Sequence, residues 1–356
     1  MGEVSFSYQQ FGIEIGHLES TSFSGILQSY SNSKIAILTD ENTHKHCLDF
    51  LITGFQGLNS AEIIVVPALE ESKDLDICVY ILETLSEAGF GRKDLLINLG
   101  GGMITDLGGF VASIYKRGMP FIQIPTSLLA MVDASIGSKT GINFMGLKNQ
   151  LGTFSSARNT YIDKKWLQTL PTCQWNNGFA EILKNALIAD EKFWTTLMEI
   201  SNLKEQLNDS VIQKAIDIKC EIVRQDPKEL GLRKILNFGH TIGHALESYY
   251  FNSKMPLSHG HAVAIGILVE SEISLIKLGL PKFEFEQIKK VILKNYSLQI
   301  PDDYLAIWQL MQHDKKNDLG KVKMSLLSRI GSCAFDQIVD LEEFKMAFEK
   351  SVELIR

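Results

Sequence analysis

Cysteine is scarce: Cys47, Cys78, Cys173, Cys220 and Cys333 are the only five in 356 residues, scattered singly and odd in number. Without a C-x-x-C pair, they form neither a disulfide framework nor a cysteine zinc cluster, and a reducing cytoplasm is the expected setting. No apolar run stands out as long enough to cross a bilayer, and no basic segment followed by an apolar one opens the sequence. Phe6 occupies the place where a myristoylation signal needs Ser or Thr, so a membrane partner is not expected. Positive charge is also in deficit. The net charge of -7 argues against a nucleic-acid partner, while leaving room for a local basic pocket that takes an anionic substrate. What remains, 45% apolar and 22% charged residues, is the composition of an ordinary folded protein large enough for two domains.

Four short apolar runs read as buried strands: Lys34 to Asp40, Glu62 to Pro67, Asp94 to Leu99 and Phe121 to Pro125. Helical spacing from Leu75 to Ala88 separates the second from the third. This β-α-β rhythm predicts an α/β domain with a mostly parallel sheet and a nucleotide or phosphate ligand at the strand C-termini. From about Trp175 the pattern changes to long amphipathic helices, Phe179 to Ala189, Val211 to Val223, His240 to Tyr250, Ala262 to Lys277 and Leu341 to Leu354. One short strand is expected from Lys321 to Leu327, in an otherwise all-α second half. The expected domains are 1–160 and 161–356.

Between the third strand and a helix lies Leu99 to Gly109, with glycines at 100, 101 and 102 that would let backbone N–H groups approach a pyrophosphate. Thr105 stands where a third dinucleotide-fingerprint glycine would be, so this motif weighs about evenly with a tight turn. Gly137 to Thr140 resembles the end of a P-loop, but Ser138 and Val132 replace its glycines and a Walker A reading fails. Small residues nevertheless surround Asp133 and Lys139, which a ligand can therefore approach. Four of the eight histidines fall between positions 240 and 261. His240 and His244, four apart on a helix, share a face and suit one metal, or one metal and one substrate. His259 and His261 are two apart and diverge, so they do not both ligate. Glu181, a carboxylate in an apolar helix, is available as a third ligand. Lys148, Lys184, Arg233, Arg117 and the Lys315–Lys316 pair supply cations for phosphate or carboxylate recognition.

Taken together, these segments resemble the 3-dehydroquinate synthases of the sugar-phosphate cyclase superfamily from about Asp40 to Leu327. The likeness rests on Gly100 to Phe110, Tyr115 to Gly118, Pro125 to Asn143, Leu147 to Gln150, Ala180 to Lys184, Leu236 to Ala245, His259 to Val263 and His313 to Lys316. It implies an NAD-binding α/β domain and an all-α metal-binding domain, with zinc first and cobalt second as the metal. It implies metal ligands Glu181, His240 and His259, and NAD contacts from Asp40, Glu70, Lys73, Gly101, Gly102, Asp106, Thr126, Ser127, Lys139, Lys148 and Thr169. Substrate contacts would come from Asp133, Lys139, Asn149, Lys184, Arg233, Asn237 and His244, with Lys315 or Lys316. Arg117 would reach the phosphate in the neighbouring subunit of a homodimer.

The implied reaction turns 3-deoxy-D-arabino-heptulosonate 7-phosphate into 3-dehydroquinate and phosphate. Transient oxidation by NAD acidifies a C–H so that phosphate leaves by elimination; re-reduction, ring opening and an intramolecular aldol addition follow. Four positions depart from the family pattern: Ser127 for Thr, Ser138 for Gly, a stretch Ala68 to Lys73 without the usual Asp-Gly, and His261 where most members carry Glu. The alternatives are a sister cyclase acting on sedoheptulose 7-phosphate or glucose 6-phosphate, and a metal-dependent polyol dehydrogenase.

Overall fold

The computed structural model describes residues 4–8, 11–68, 70–145, 147–251, 253, 256–312 and 322–355. Two compact units divide the chain, Met1–Gln174 and Trp175–Arg356. The first is built on a seven-stranded sheet of β1 (Val4–Tyr8), β2 (Ile13–Gly16), β3 (Ile35–Asp40), β4 (Glu62–Val66), β5 (Leu95–Gly100), β6 (Phe121–Pro125) and β9 (Asn159–Ile162). Their order is β1-β2-β9-β6-β5-β3-β4, antiparallel only at β1 and parallel in every other pair. All four strands read from the sequence are present within a residue or so of the predicted ends. Every residue of β3, β5 and β6 is buried, which is why these runs are continuously apolar rather than alternating. Packed against them, the Leu75–Glu87 and Gly102–Ile114 helices contribute Cys78, Ile81, Leu85, Ile104 and Leu107 to the core.

Three features differ from expectation. The divide lies at Gln174, not residue 160, because β9 pairs with β2 and β6 and because Asp163 accepts a hydrogen bond from the Leu18 N–H at 2.9 Å. The small-residue run after β6 includes a hairpin, β7 (Lys139–Phe144) with β8 (Leu147–Phe154), in which Gly141 and Gly152 face one another too closely for side chains. The second unit is not all-α. The expected strand is β10 (Val322–Arg329), and it pairs with β11 (Ser332–Val339), whose interleaved polar residues hide a strand pattern.

Helices dominate the second unit nonetheless. Its centre is the His259–Lys277 helix, which packs against the His240–Tyr250, Lys282–Asn295 and Leu341–Ile355 helices and against β10. By length and composition this helix passes the test for a membrane span, contrary to the sequence expectation, but 78% of its apolar window is buried inside the fold. Small residues let the His240–Tyr250 helix approach it closely. A methyl on Gly266 would collide with the Gly239 carbonyl, and one on Gly243 would lie 3.2 Å from the Ala262 oxygen. Gly266→Ala is therefore expected to lower stability by about 1–3 kcal/mol, as overpacking does. Gly25→Ala, on an exposed helix position with open space around it, should raise stability by about 0.5–1 kcal/mol. Equilibrium denaturation of both variants checks this, and a neutral Gly266→Ala would contradict the packing account.

Candidate metal and coenzyme sites

The candidate metal site draws on the starts of two helices and the middle of a third. The Thr172–Ala189 helix carries Glu181 and Lys184 on one face, spaced by three residues and both buried. The His259–Lys277 helix starts against it: the Gly260 N–H donates to Asn177 Oδ1 at 2.9 Å, and any Cβ on Gly260 would strike the Asn177 backbone. That close approach sets His259 beside Glu181, which lies one turn along from Asn177, with its Nε2 3.0 Å from Glu181 Oε1. Gly239, in the left-handed region at φ 78°, turns the chain so that His240 begins the next helix. No side chain of its own caps this helix. Instead Glu270, fully buried on the His259–Lys277 helix, accepts from the N–H groups of Gly239 at 2.6 Å and Ile242 at 3.3 Å. His240 Nε2 then lies 3.2 Å from the same Glu181 oxygen.

One atom from each of Glu181, His240 and His259 falls within 4.8 Å of the others. Their partners favour ligation. His240 Nδ1 lies 3.1 Å from the Phe238 carbonyl, and His259 Nδ1 lies 3.4 Å from Glu247 Oε1, so each Nδ1 has an acceptor for its proton and each Nε2, facing Glu181, is the nitrogen that can exchange a proton for a cation. Two lone pairs and a carboxylate converging on one point suit a divalent cation, and three protein ligands leave a position open for substrate. Burial opposes charge on all three. The carboxyl of Glu181 is nevertheless held well below its usual range by Lys184 and His240. For His240 burial wins and its pKa is lowered; for His259 the hydrogen bonds and charges of Glu181 and Glu247 outweigh burial and raise it to about 10. Proton and metal thus compete for one nitrogen.

Around this centre, His244 stacks edge-to-face on His240 with ring centroids 5.3 Å apart, so the pair four apart does share a face. Arg233, buried, donates to the Pro227 carbonyl at 2.6 Å, and Asn237 donates to Glu229 Oε1 at 2.7 Å. His261 is not in the converging group: its Nδ1 lies 2.8 Å from Ser258 Oγ and its ring meets Tyr296 edge-on. Lys315 and Lys316 lie outside the described residues. Sequence reasoning did not single out Glu247, Glu270 or Glu229. Glu247 was the most readable, since it follows His240 by seven residues and so lies on the same helix face.

In the first unit, Gly101 and Gly102 open the Gly102–Ile114 helix directly after β5. The carboxylate of Asp40 accepts from the N–H groups of Asn42 at 2.9 Å and Thr43 at 3.1 Å, capping the short helix after β3. Burial pushes the Cys47 thiol up to about 11, with Thr169 opposing that shift and the charge of Asp40 adding to it, so Cys47 lies near two expected contacts. Lys73 Nζ, buried, reaches Asp106 Oδ2 at 2.7 Å and Asn149 Oδ1 at 2.6 Å, with Glu70 at 3.9 Å. Burial raises the Asp106 carboxyl pKa despite Lys73 beside it, and the charge of Asp133 adds to that shift. Thr126 and Ser127 follow β6, and the Ser127 hydroxyl accepts from the Ala130 N–H at 3.2 Å. Asp133 lies in the π-helical turn Ala130–Ala134, Lys139 opens β7, and Lys148 and Asn149 lie on β8. Arg117, at φ 67° beside Lys116 at φ 47°, belongs to a strained turn.

The family model for the 3-dehydroquinate synthase N-terminal part matches residues 63–177, and that for the C-terminal part matches 178–317. A 3-dehydroquinate synthase of Parabacteroides distasonis is 40% identical over 321 residues, covering 89% of this chain and 91% of that protein. Among solved structures, the 2-epi-5-epi-valiolone synthase of Streptomyces hygroscopicus with NAD+ and Zn2+ bound is 26% identical with a TM-score of 0.87, over 98% of each chain. A 2-deoxy-scyllo-inosose synthase complexed with carbaglucose-6-phosphate, NAD+ and Co2+ is 25% identical with a TM-score of 0.79, over 91% of this chain and 94% of that one.

Replacing either Glu181 or His240 with Ala is expected to abolish stoichiometric zinc binding, whereas His261→Ala retains it. Glu247→Ala, which frees the His259 ring, should weaken zinc binding about 10- to 100-fold. Metal content after dialysis and competition with a chromophoric chelator measure both. Equal loss in all four variants would refute the ligand set.

Proposed function

The chain belongs to the 3-dehydroquinate synthase family, and we propose that its residues divide the work of that reaction, with coenzyme contacts in the first unit, metal ligands in the second and substrate contacts in each. The enzyme is an NAD- and divalent-metal-dependent carbon–oxygen lyase of the shikimate pathway, acting on a sugar phosphate. It converts 3-deoxy-D-arabino-heptulosonate 7-phosphate to 3-dehydroquinate and phosphate. The observation that carries the residue assignment is the convergence of Glu181, His240 and His259 beside Lys184. A divalent cation held there supplies Lewis acidity toward substrate oxygens, and NAD supplies a reversible hydride acceptor.

The chain's own groups do the rest. Gly101 and Gly102, at a helix N-terminus, suit the coenzyme pyrophosphate, with Asp40, Glu70, Lys73, Asp106, Thr126, Ser127, Lys139, Lys148 and Thr169 as further coenzyme contacts. Arg233 and Lys184 answer the substrate's negative charge. Neither is present merely as surface charge, since both are buried and hydrogen-bonded within the unit. His244, on the same helix face as His240, moves protons; Asn237, Asp133, Lys139 and Asn149 orient substrate oxygens. Arg117 reaches toward a partner's substrate in a homodimer, and five free cysteines support a cytoplasmic setting.

Purified protein with NAD and zinc is expected to release phosphate from the heptulosonate phosphate and to accumulate no NADH. Arg233→Ala should lower kcat/KM on the order of a hundredfold, the cost of leaving an anionic group without its cation. Phosphate released only from sedoheptulose 7-phosphate would instead indicate the sister cyclase, and net NADH from a simple polyol would indicate a dehydrogenase.

A further inference from the structure

We infer that Asn143 is a positioning residue that locks Glu70, on the coenzyme side, to Asn149, on the substrate side. Four hydrogen bonds converge on it. Its N–H donates to the Lys73 carbonyl at 2.6 Å; its Nδ2 donates to the Glu70 carbonyl at 3.2 Å and to Glu70 Oε1 at 3.3 Å; and its Oδ1 accepts from the Asn149 N–H at 2.9 Å. The amide has only one workable orientation. Turned over, it would set its oxygen against two oxygens of Glu70 and its NH2 against an N–H.

The backbone points to the same role. Register slips between Ile142 and Phe144 in the β7–β8 pairing, so that Lys148, Asn149 and Gln150 on β8 lie opposite Asn143 alone. Across the hairpin Asn149 takes φ 51°, a conformation that a non-glycine residue adopts at a cost, and the bond to its N–H helps to hold it there. Lys73 joins the same two partners through its ammonium, which contacts Asn149 Oδ1 and approaches Glu70. Asn143 repeats that link through the backbone, without charge. Asparagine meets the requirement by placing a donor and an acceptor on one short planar group. Aspartate keeps the acceptor but sets a second carboxylate beside Glu70, and alanine loses both.

The inference rests on the proposal that Glu70 contacts NAD and Asn149 contacts substrate. Its test uses Asn143→Asp and Asn143→Ala, with Glu70→Ala and Asn149→Ala as references, in zinc-loaded protein. NAD binding is measured by titration, and substrate KM and kcat by phosphate release at saturating NAD. Asn143→Asp should weaken NAD binding about tenfold while leaving substrate KM near the native value, whereas Asn143→Ala should raise both. Melting temperature tracks folding of each variant. If the reference variants shift NAD binding and substrate KM but neither Asn143 variant does, the inference fails and the residue assignment stands. If Asn143→Asp loses both in parallel with a fall in melting temperature, Asn143 is structural and the inference also fails. Reference variants that behave as native would remove the assignment and the inference with it.

Discussion

A carboxylate with no solvent exposure must have its charge answered inside the protein, and Glu181 is such a carboxylate. One oxygen faces Lys184 and the other faces two imidazole nitrogens. Lys184 alone leaves that second oxygen exposed to two rings whose Nδ1 protons are already committed. A cation or a proton is the remaining answer, and the elevated pKa of His259 expresses that demand. Electrostatics at one buried residue therefore link metal loading, histidine protonation and the position of the neighbouring lysine.

Meeting that demand requires the starts of two helices to come close to each other and to the middle of a third. Gly260 against Asn177, and Gly266 against Gly239, are contacts that admit no side chain. Glu270 completes the arrangement by taking up N–H groups that the His240–Tyr250 helix leaves open at its start. The candidate ligands thus stand on helices held close by glycine contacts, two of which have their starts satisfied from a neighbour. Such support holds ligands in place better than loops do. The first unit uses a different device, a lysine and an asparagine that tie strand-end turns to a hairpin.

Much of this was legible in the sequence, for identifiable reasons. Buried parallel strands such as β3 and β5 are unbroken apolar runs, and the His240–Tyr250 helix has the bounds its periodicity gave. The spacing of His240 and His244 placed both on one face but left open which of them ligates. Nothing local in the sequence brings His259 to Glu181, because that contact depends on helix crossing at Gly260. Hairpins were the weak point: β7 and β8 are rich in glycine and polar residues, and β11 alternates without a clear apolar face. Glu247 and Asn143 carry roles that arise from three-dimensional partners, and only the seven-residue spacing of Glu247 from His240 hinted at one of them in the sequence.

X-ray absorption at the zinc edge of the zinc-loaded protein tests the central claim most directly. The account predicts two imidazole nitrogens and a carboxylate oxygen at about 2.0–2.2 Å, with light-atom oxygen completing the shell. A third imidazole, from His244 or His261, or a shell without carboxylate, would contradict it.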